Sequence, residues 1–515
     1  MAPQQLGPRS LLAAALCVAL AATGPVWADA PAGQTTSPGL LPAAASTEGT
    51  GWSPYAGAGI TQAAAGRTDT AALTIRSAGA RTGAVSSAVA ATPGSRYVAD
   101  GWARAASTAQ SLALGLQFRD SAGALLDVAT QTGQGLLDSP AAWSALAPVV
   151  GFAPPTAATV SVVVLDVDGP AGDVQWVDDV QVREIAGSPA ALTAPLTTSG
   201  ARILDGAGRS VRLTGVYLAG LETSSKGSVT TGEITVARSW GANLVRVGLG
   251  QNYALPGDCL YDSGYLPRVD ALVRQATNAG LAILLDLHTL AALPCTAPRP
   301  QSMPDAKSLT FWRLLAQRYA SNPLVAFDLF NEPHDITDAV WRNGGMVLSG
   351  GARYQSPGMQ ALYDAIRASG ASNLVFASGP NWAASFPAAA PLTGTRNLVY
   401  AAHAYTCPRG TPESGAKCST GPDGTVHDPR AILSRFDGPA TRVPIVLTEF
   451  GYPSRNEGQY TSRAIAYVGE HGWAGWSAFT FDNGTTGMFS LWKNATGDIN
   501  PTVSGMPVML GLSTN

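Results

Sequence analysis

Hydrophobic and polar positions follow two different patterns along this chain, and the change falls near residue 200. From Trp52 to Ile185, short runs alternate apolar with polar residues or are rich in β-branched ones: Ala71–Ile75, Tyr97–Ala103, Ser111–Phe118, Thr159–Val167 and Val174–Val182. Turn signals such as Pro93-Gly94, Pro154-Pro155 and Gly169-Pro170 separate them. A period of two buries one face of each strand, so residues 52–185 predict an antiparallel β-sandwich. Residues 186–200, with two Pro and several Ser and Thr, read as a linker.

From residue 201 to 515 apolar strand-like runs alternate with helical patterns, the grammar of parallel βαβ units in an α/β fold. Eight strand candidates occur: Val211–Val216, Asn243–Gly248, Leu281–His288, Val325–Asn331, Leu374–Ser378, Leu398–Tyr405, Val443–Glu449 and Trp473–Phe479. Helical patterns lie between them at Leu266–Ala279, Ala306–Ala320, Met359–Ser369 and Arg430–Phe436. Most of the strands are apolar on both faces, as a sheet covered on both sides requires. Eight such units predict a (β/α)8 TIM barrel. A doubly wound sheet would more often carry a glycine-rich phosphate turn after its first strand, and none is seen.

The first residues follow another pattern. Arg9, an apolar stretch from Leu11 to Ala22 and small residues at Ala28 and Ala30 give the layout of a secretory signal peptide, residues 1–28. Residues 29–51, rich in Ala, Pro, Thr and Ser, read as a flexible leader. The expected location is therefore extracellular. Export leaves four cysteines, Cys259, Cys295, Cys407 and Cys418, in an oxidising compartment. Three pairings are open; spacing favours Cys259 with Cys295 and Cys407 with Cys418. A zinc site is the alternative, but no CxxC is present. Of the residues 46% are hydrophobic and 13% charged, which argues against a disordered chain. A net charge of −3 without basic runs argues against nucleic acid as a partner. No apolar run is long enough for a membrane span.

In such a barrel the reacting groups stand at the C-terminal strand ends. The fourth strand leads into Glu332 and the seventh into Glu449. Two carboxylates at one barrel mouth suit hydrolysis of a glycosidic bond, one attacking the anomeric carbon while the other protonates the leaving oxygen. Arg246, Asp286, His288, His403 and Tyr405 end neighbouring strands; a Tyr hydroxyl and an Arg beside a carboxylate favour its ionised form. Trp476 on the eighth strand offers a flat face for a sugar ring. Two His with acids could instead bind a metal, but neither HxH nor HExxH occurs.

Residues 199–512 resemble the catalytic domain of glycoside hydrolase family 5, the cellulase-type retaining hydrolases. The resemblance rests on Leu329-Phe-Asn331-Glu332-Pro333 and Leu447-Thr448-Glu449-Phe450-Gly451. It implies that Glu332 is the acid/base, Glu449 the nucleophile and Asn331 the partner of a sugar hydroxyl. It assigns supporting roles to Arg246, His288, His403 and Tyr405, and places Trp476 beneath the reacting sugar. Trp382 and Trp341 are candidates to stack further sugars. More weakly, the sandwich resembles the jelly-roll modules of carbohydrate-binding families 4 and 9, which implies a jelly-roll fold, with Trp102 and Trp143 as candidate sugar platforms and Asp178 and Asp179 as candidate calcium ligands. The resulting expectation is a secreted, monomeric endo-β-1,4-glucanase acting on a β-linked polysaccharide or oligosaccharide, with no cofactor and no metal. A β-mannanase or an exo-acting β-glycosidase is the alternative within the family. A noncatalytic polysaccharide-binding protein is the alternative outside it, and a metal-dependent barrel hydrolase the third choice.

Overall fold

The computed structural model describes residues 40–41, 51–63, 66–67, 71–106, 111–130, 136–137, 140–185, 191–405, 428–451, 459–481, 489–492, 500–502 and 505–513. The expected signal peptide, Cys407 and Cys418 lie outside the described residues, as do most of the expected leader and residues 186–190 of the expected linker. The chain divides into residues 1–34 and a unit spanning 35–515.

Eight parallel strands close into a barrel. They are β1 (Leu213–Leu218), β2 (Leu244–Gly250), β3 (Ala282–Thr289), β4 (Val325–Asp328), β5 (Val375–Ser378), β6 (Leu398–Tyr405), β7 (Ile445–Gly451) and β8 (Gly475–Ala478). Around them stand α1 (Thr231–Trp240), α2 (Tyr265–Asn278), α3 (Ala306–Tyr319), α4 (Gly358–Ala368), α5 (Gln459–Glu470) and α6 (Gly505–Ser513). The first helix shows why the chain starts a helix where it does. Thr230 and Glu233 form a reciprocal capping box at its N-terminus, and Gly241, at φ 106°, ends it in the left-handed region.

Because side chains on a strand alternate, one set fills the barrel and the other faces the helices. Leu213, Leu244, Leu284, Ala326, Phe376, Val399 and Val446 form a buried apolar layer low in the barrel. Leu196 and Ile203 belong to the same layer. Ile203 belongs to a small antiparallel sheet, Thr197–Ser199, Arg202–Leu204 and Ser210–Val211, and Leu196 directly precedes it, so the end of the expected linker is ordered structure under the barrel. One step higher, two residues along each strand, the apolar layer gives way to Arg246, Asp286 and Asp328, all buried.

The segment 52–185 forms two antiparallel sheets, one ordered by the strands 52–55, 82–86, 159–166, 111–119 and 125–130, the other by 144–145, 96–105, 174–185, 72–76 and 59–63. Their facing sides share one apolar core, which includes Leu114 and Val162 from the first and Tyr97 and Val177 from the second. The second sheet also joins the barrel. Val98, Val150 and Phe152 lie in the core that lines the helix layer. Arg96 donates to the carbonyl of Trp240, and the Phe152 N–H donates to Asn500 Oδ1 at 2.6 Å.

Because Val98, Val150 and Phe152 lie in the barrel's core, the two parts are expected to unfold as one. Phe152→Ala removes a buried ring at their junction, at a cost of about 3 kcal/mol or more. Calorimetry should then show two separated transitions where the parent chain shows one; a single transition in the variant would contradict the coupling.

Candidate active site

Arg246 organises the upper barrel. A fully buried guanidinium is tolerated only when carboxylates surround it. It meets Asp286 at 3.1 Å, Asp328 at 3.0 Å, and Glu449. Its Nη2 also donates to Asn331 Oδ1 at 2.9 Å. Three strands and the β4 exit are thereby tied to β2.

Glu449 reaches this charge through an irregularity in β7. Ala402 pairs with Leu447, but His403 pairs with Glu449, so Thr448 and Glu449 together face one step of β6. Strict alternation would send Glu449 outward beside Leu447. The extra residue re-aims it, as bulges beside active sites do. Both side chains then serve the interior: Thr448 Oγ1 meets His403 Nε2 at 3.0 Å, and Tyr405 donates its hydroxyl proton to Glu449 Oε2 at 2.7 Å. Burial opposes ionisation of Glu449, but the nearby His403, Arg246 and His288, with the Tyr405 hydrogen bond, hold it down to about 2.

Glu332 follows β4 with φ at 52°, an uncommon conformation for a non-glycine residue. Its Oε1 lies 2.9 Å from His403 Nδ1, and the same nitrogen is 3.7 Å from Glu449 Oε2. One ligand atom from each of Glu332, His403 and Glu449 lies within 4.8 Å of the others. The side chain of Glu332 is 17% exposed and that of Glu449 only 4%, so the first faces the opening and the second the interior. On β3, His288 Nδ1 lies 2.6 Å from Asp286 Oδ2. Burial pulls His288 down, and the Asp286 charge and hydrogen bond outweigh it, raising His288 to about 9.

The family described as "Cellulase (glycosyl hydrolase family 5)" matches residues 204–483. The chain belongs to glycosyl hydrolase family 5. A manganese dependent endoglucanase, Eg5A, of Phanerodontia chrysosporium is 29% identical over 346 residues, 61% of this chain and 83% of that protein. Endoglucanase gh5-1 of Neurospora crassa is 30% identical over 186 residues, 34% of this chain and 43% of that protein. Among solved structures, the catalytic domain of Thermobifida fusca endoglucanase Cel5A aligns with 62% of this chain and 97% of its own, at 19% identity and a TM-score of 0.47. The protein is thus a cellulase-type glycoside hydrolase.

In this family 5 enzyme the barrel mouth brings together Arg246, His288, Asn331, Glu332, His403, Tyr405 and Glu449. Trp382 stands beside them. Its backbone N–H donates to Pro333 O at 2.9 Å, and its ring stacks on His334 with centroids 3.5 Å apart. Trp476 does not join the site. On β8 the inward positions are Gly475 and Ser477, so Trp476 points into the helix layer against Phe450. The aromatic ring at the mouth is Phe479, three residues on and half-buried, 4.9 Å from Tyr217 and 6.0 Å from Tyr405 between ring centroids. Trp341 is fully buried and donates its indole N–H to Ser378 O.

Cys259 and Cys295 are joined, with Cα atoms 5.5 Å apart, on the loops after β2 and β3. In the antiparallel sheets, Arg67 lies over the Trp102 ring at 3.7 Å, covering a face that a sugar would need. Asp178 accepts the Arg67 N–H and Asp179 its guanidinium, each at 2.6 Å, so an arginine occupies the expected calcium ligands. Trp143 is half-buried.

Sequence reasoning passed over Tyr217, Asp328 and Thr448. Tyr217 lies with its hydroxyl 3.2 Å from His288 Nδ1 and its ring beside Arg246. One signal was available for Asp328: it precedes Glu332 by four residues on a strand whose other inward positions are apolar, opposite an arginine that needs counter-charge.

Tyr405→Phe removes one donor from Glu449 and should raise the acidic limb of kcat/KM by about 1 pH unit. The folded value of Glu449 lies below its ordinary 4.5, so its stabilising contribution is complete above that pH and fades as pH falls toward 2. The variant should therefore also lose acid stability sooner. An acidic limb unchanged from that of the parent would refute this role for Tyr405.

Proposed function

We propose that this family 5 enzyme is an exported endo-β-1,4-glucanase that cleaves with retention of anomeric configuration. The observation that carries the reading is the placement of carboxylate oxygens of Glu332 and Glu449 within 4.8 Å of each other, with His403 between them. Retaining enzymes hold their two carboxyl groups about 5–5.5 Å apart, whereas inverting ones leave about 6.5–9.5 Å for a water. Glu449, held ionised, attacks the anomeric carbon, and Glu332 gives its proton to the leaving oxygen. Glu332 then takes a proton from water, whose oxygen attacks the anomeric carbon from the side the leaving group left, opposite Glu449, and expels the Glu449 carboxylate to restore the free enzyme. His403, fixed through Thr448, positions Glu332 for both steps. Asn331, held by Arg246, is set to meet the 2-hydroxyl of the reacting sugar.

Endo action on a β-1,4-glucan is supported by the relatives from Phanerodontia chrysosporium and Neurospora crassa, both described as endoglucanases. Phe479, beside Tyr405, and Trp382, stacked on His334, supply aromatic rings near the two glutamates. Export is supported by the Cys259–Cys295 bridge, which an oxidising compartment favours. Among the described residues no helix is long and apolar enough to cross a membrane.

The Phanerodontia relative is described as manganese dependent, and two groups here have the spacing of ligands: Asp286, His288 and Glu449, and Glu332, His403 and Glu449. We read neither as a metal site. Both include Glu449, and Arg246 binds Asp286 and Glu449, so a divalent cation would sit beside a buried guanidinium already paired with the same carboxylates.

Azide separates the two carboxylate roles. Glu449→Ala should lose hydrolysis of all substrates, and azide should restore turnover of an activated aryl cellobioside to the glycosyl azide of inverted configuration. Glu332→Ala should still react with that substrate, and azide should give the retained product. Parent activity should be the same with and without a chelator. Exchanged anomers would exchange the two roles, and a parent enzyme giving inverted sugar would end the retaining reading.

A further inference from the structure

Asp286 and Asp328 are direct neighbours across β3 and β4, both facing the barrel interior. Each turns one oxygen to the same nitrogen of Arg246, at 3.1 and 3.0 Å, and Arg246 Nε adds a 3.1 Å bond to the Asp328 oxygen. Their other oxygens, Asp286 Oδ1 and Asp328 Oδ1, are buried and have no hydrogen-bond partner. An unpartnered carboxylate oxygen in a dry interior is costly, and here two lie on adjacent strands. A single proton turns two orphan acceptors into a donor and an acceptor.

We propose that Asp328 carries a buried proton, directed to the orphan oxygen of Asp286, and so acts as a positioning residue that keeps the charge of Arg246 committed to Glu449. The charge count favours this. One guanidinium faces three carboxyl groups, and His288 is already engaged by Asp286. With Asp328 neutral, Arg246 and protonated His288 balance Asp286 and Glu449. With Asp328 ionised, a third carboxylate competes for the guanidinium that the nucleophile needs.

The charged and titratable groups acting on Asp328 are Arg246 from β2, Asp286 from β3 and His403 from β6; β5 brings Phe376 beside it. Burial is the largest influence and pushes Asp328 up, Arg246 pulls it down and Asp286 pushes it up again, to about 7. The consequence for catalysis rests on Glu449 being the nucleophile; the proton itself does not.

Thermal unfolding of the full chain and of Asp328→Asn, compared from pH 4 to pH 8, tests the proton without reference to catalysis. A folded value above the unfolded 3.8 means that the parent chain loses stability as pH rises from there to about 7. Asparagine is neutral throughout and can donate to the same Asp286 oxygen. The Tm of the variant minus that of the parent should therefore increase by on the order of 5 °C between pH 4 and pH 7, then level off. A difference that stays flat or falls with pH means an ionised Asp328 and overturns the proposal. Should the variant fail to fold, infrared spectra of the parent labelled with 13C at aspartate carboxyls decide. A protonated-carboxyl band at pH 6 shifted by the label supports the proposal, and its absence overturns it. Failure of azide rescue would count against the nucleophile assignment and leave these outcomes unchanged.

Discussion

A guanidinium with no access to water must take all of its solvation from neighbouring groups, and Arg246 takes it from β3, β4 and β7 at once. Each contact is a charge-assisted hydrogen bond in a medium far less polar than water, where it is stronger and its loss more damaging. The same contacts fix where the chemistry occurs. Glu449 remains ionised despite its burial because Arg246, His403 and His288 lie around it and Tyr405 donates to it. Asn331 is held in place by the guanidinium next to Glu332. Removing Arg246 would leave buried carboxylates uncompensated, so the residue binds the stability of the barrel to the reactivity of its mouth.

The barrel interior is graded to suit this. Low in the barrel, aliphatic and aromatic side chains exclude water and hold the strands in register. One layer up sit the arginine and its two aspartates, and above them the histidines, the tyrosine and the two glutamates. The dry floor raises the strength of every charge interaction above it. Glu332 and Glu449 are the same residue type in different surroundings, since one faces the opening and the other the arginine.

Much of this was legible in the residues. The switch from a period-two pattern to alternating strands and helices marked the change from antiparallel sheets to barrel, and the strand ends carried the chemistry. What escaped depended on register and on distant partners. Glu449 faces inward only through the irregularity at Thr448, which the apolar run Ile445–Leu447 does not announce. Trp476 has the flat face a sugar ring needs, and the family resemblance places it at the mouth, but Gly475 and Ser477 take the inward positions on that strand and Phe479 stands at the mouth instead. Asp328 looked like one polar residue in an apolar strand until Arg246 was found beside it. In the antiparallel sheets Trp102 had the composition of a sugar platform, yet Arg67, far away in sequence, lies over its ring.

The account stands on Glu449 forming the covalent bond to the sugar. A 2-deoxy-2-fluoro-cellobioside with a good leaving group slows both steps but spares the first more, so the glycosyl-enzyme accumulates. Mass spectrometry of the intact chain should show one added fluorocellobiosyl group, and peptide mapping should locate it on Glu449. Label on Glu332, or inactivation without any added mass, would contradict the central claim.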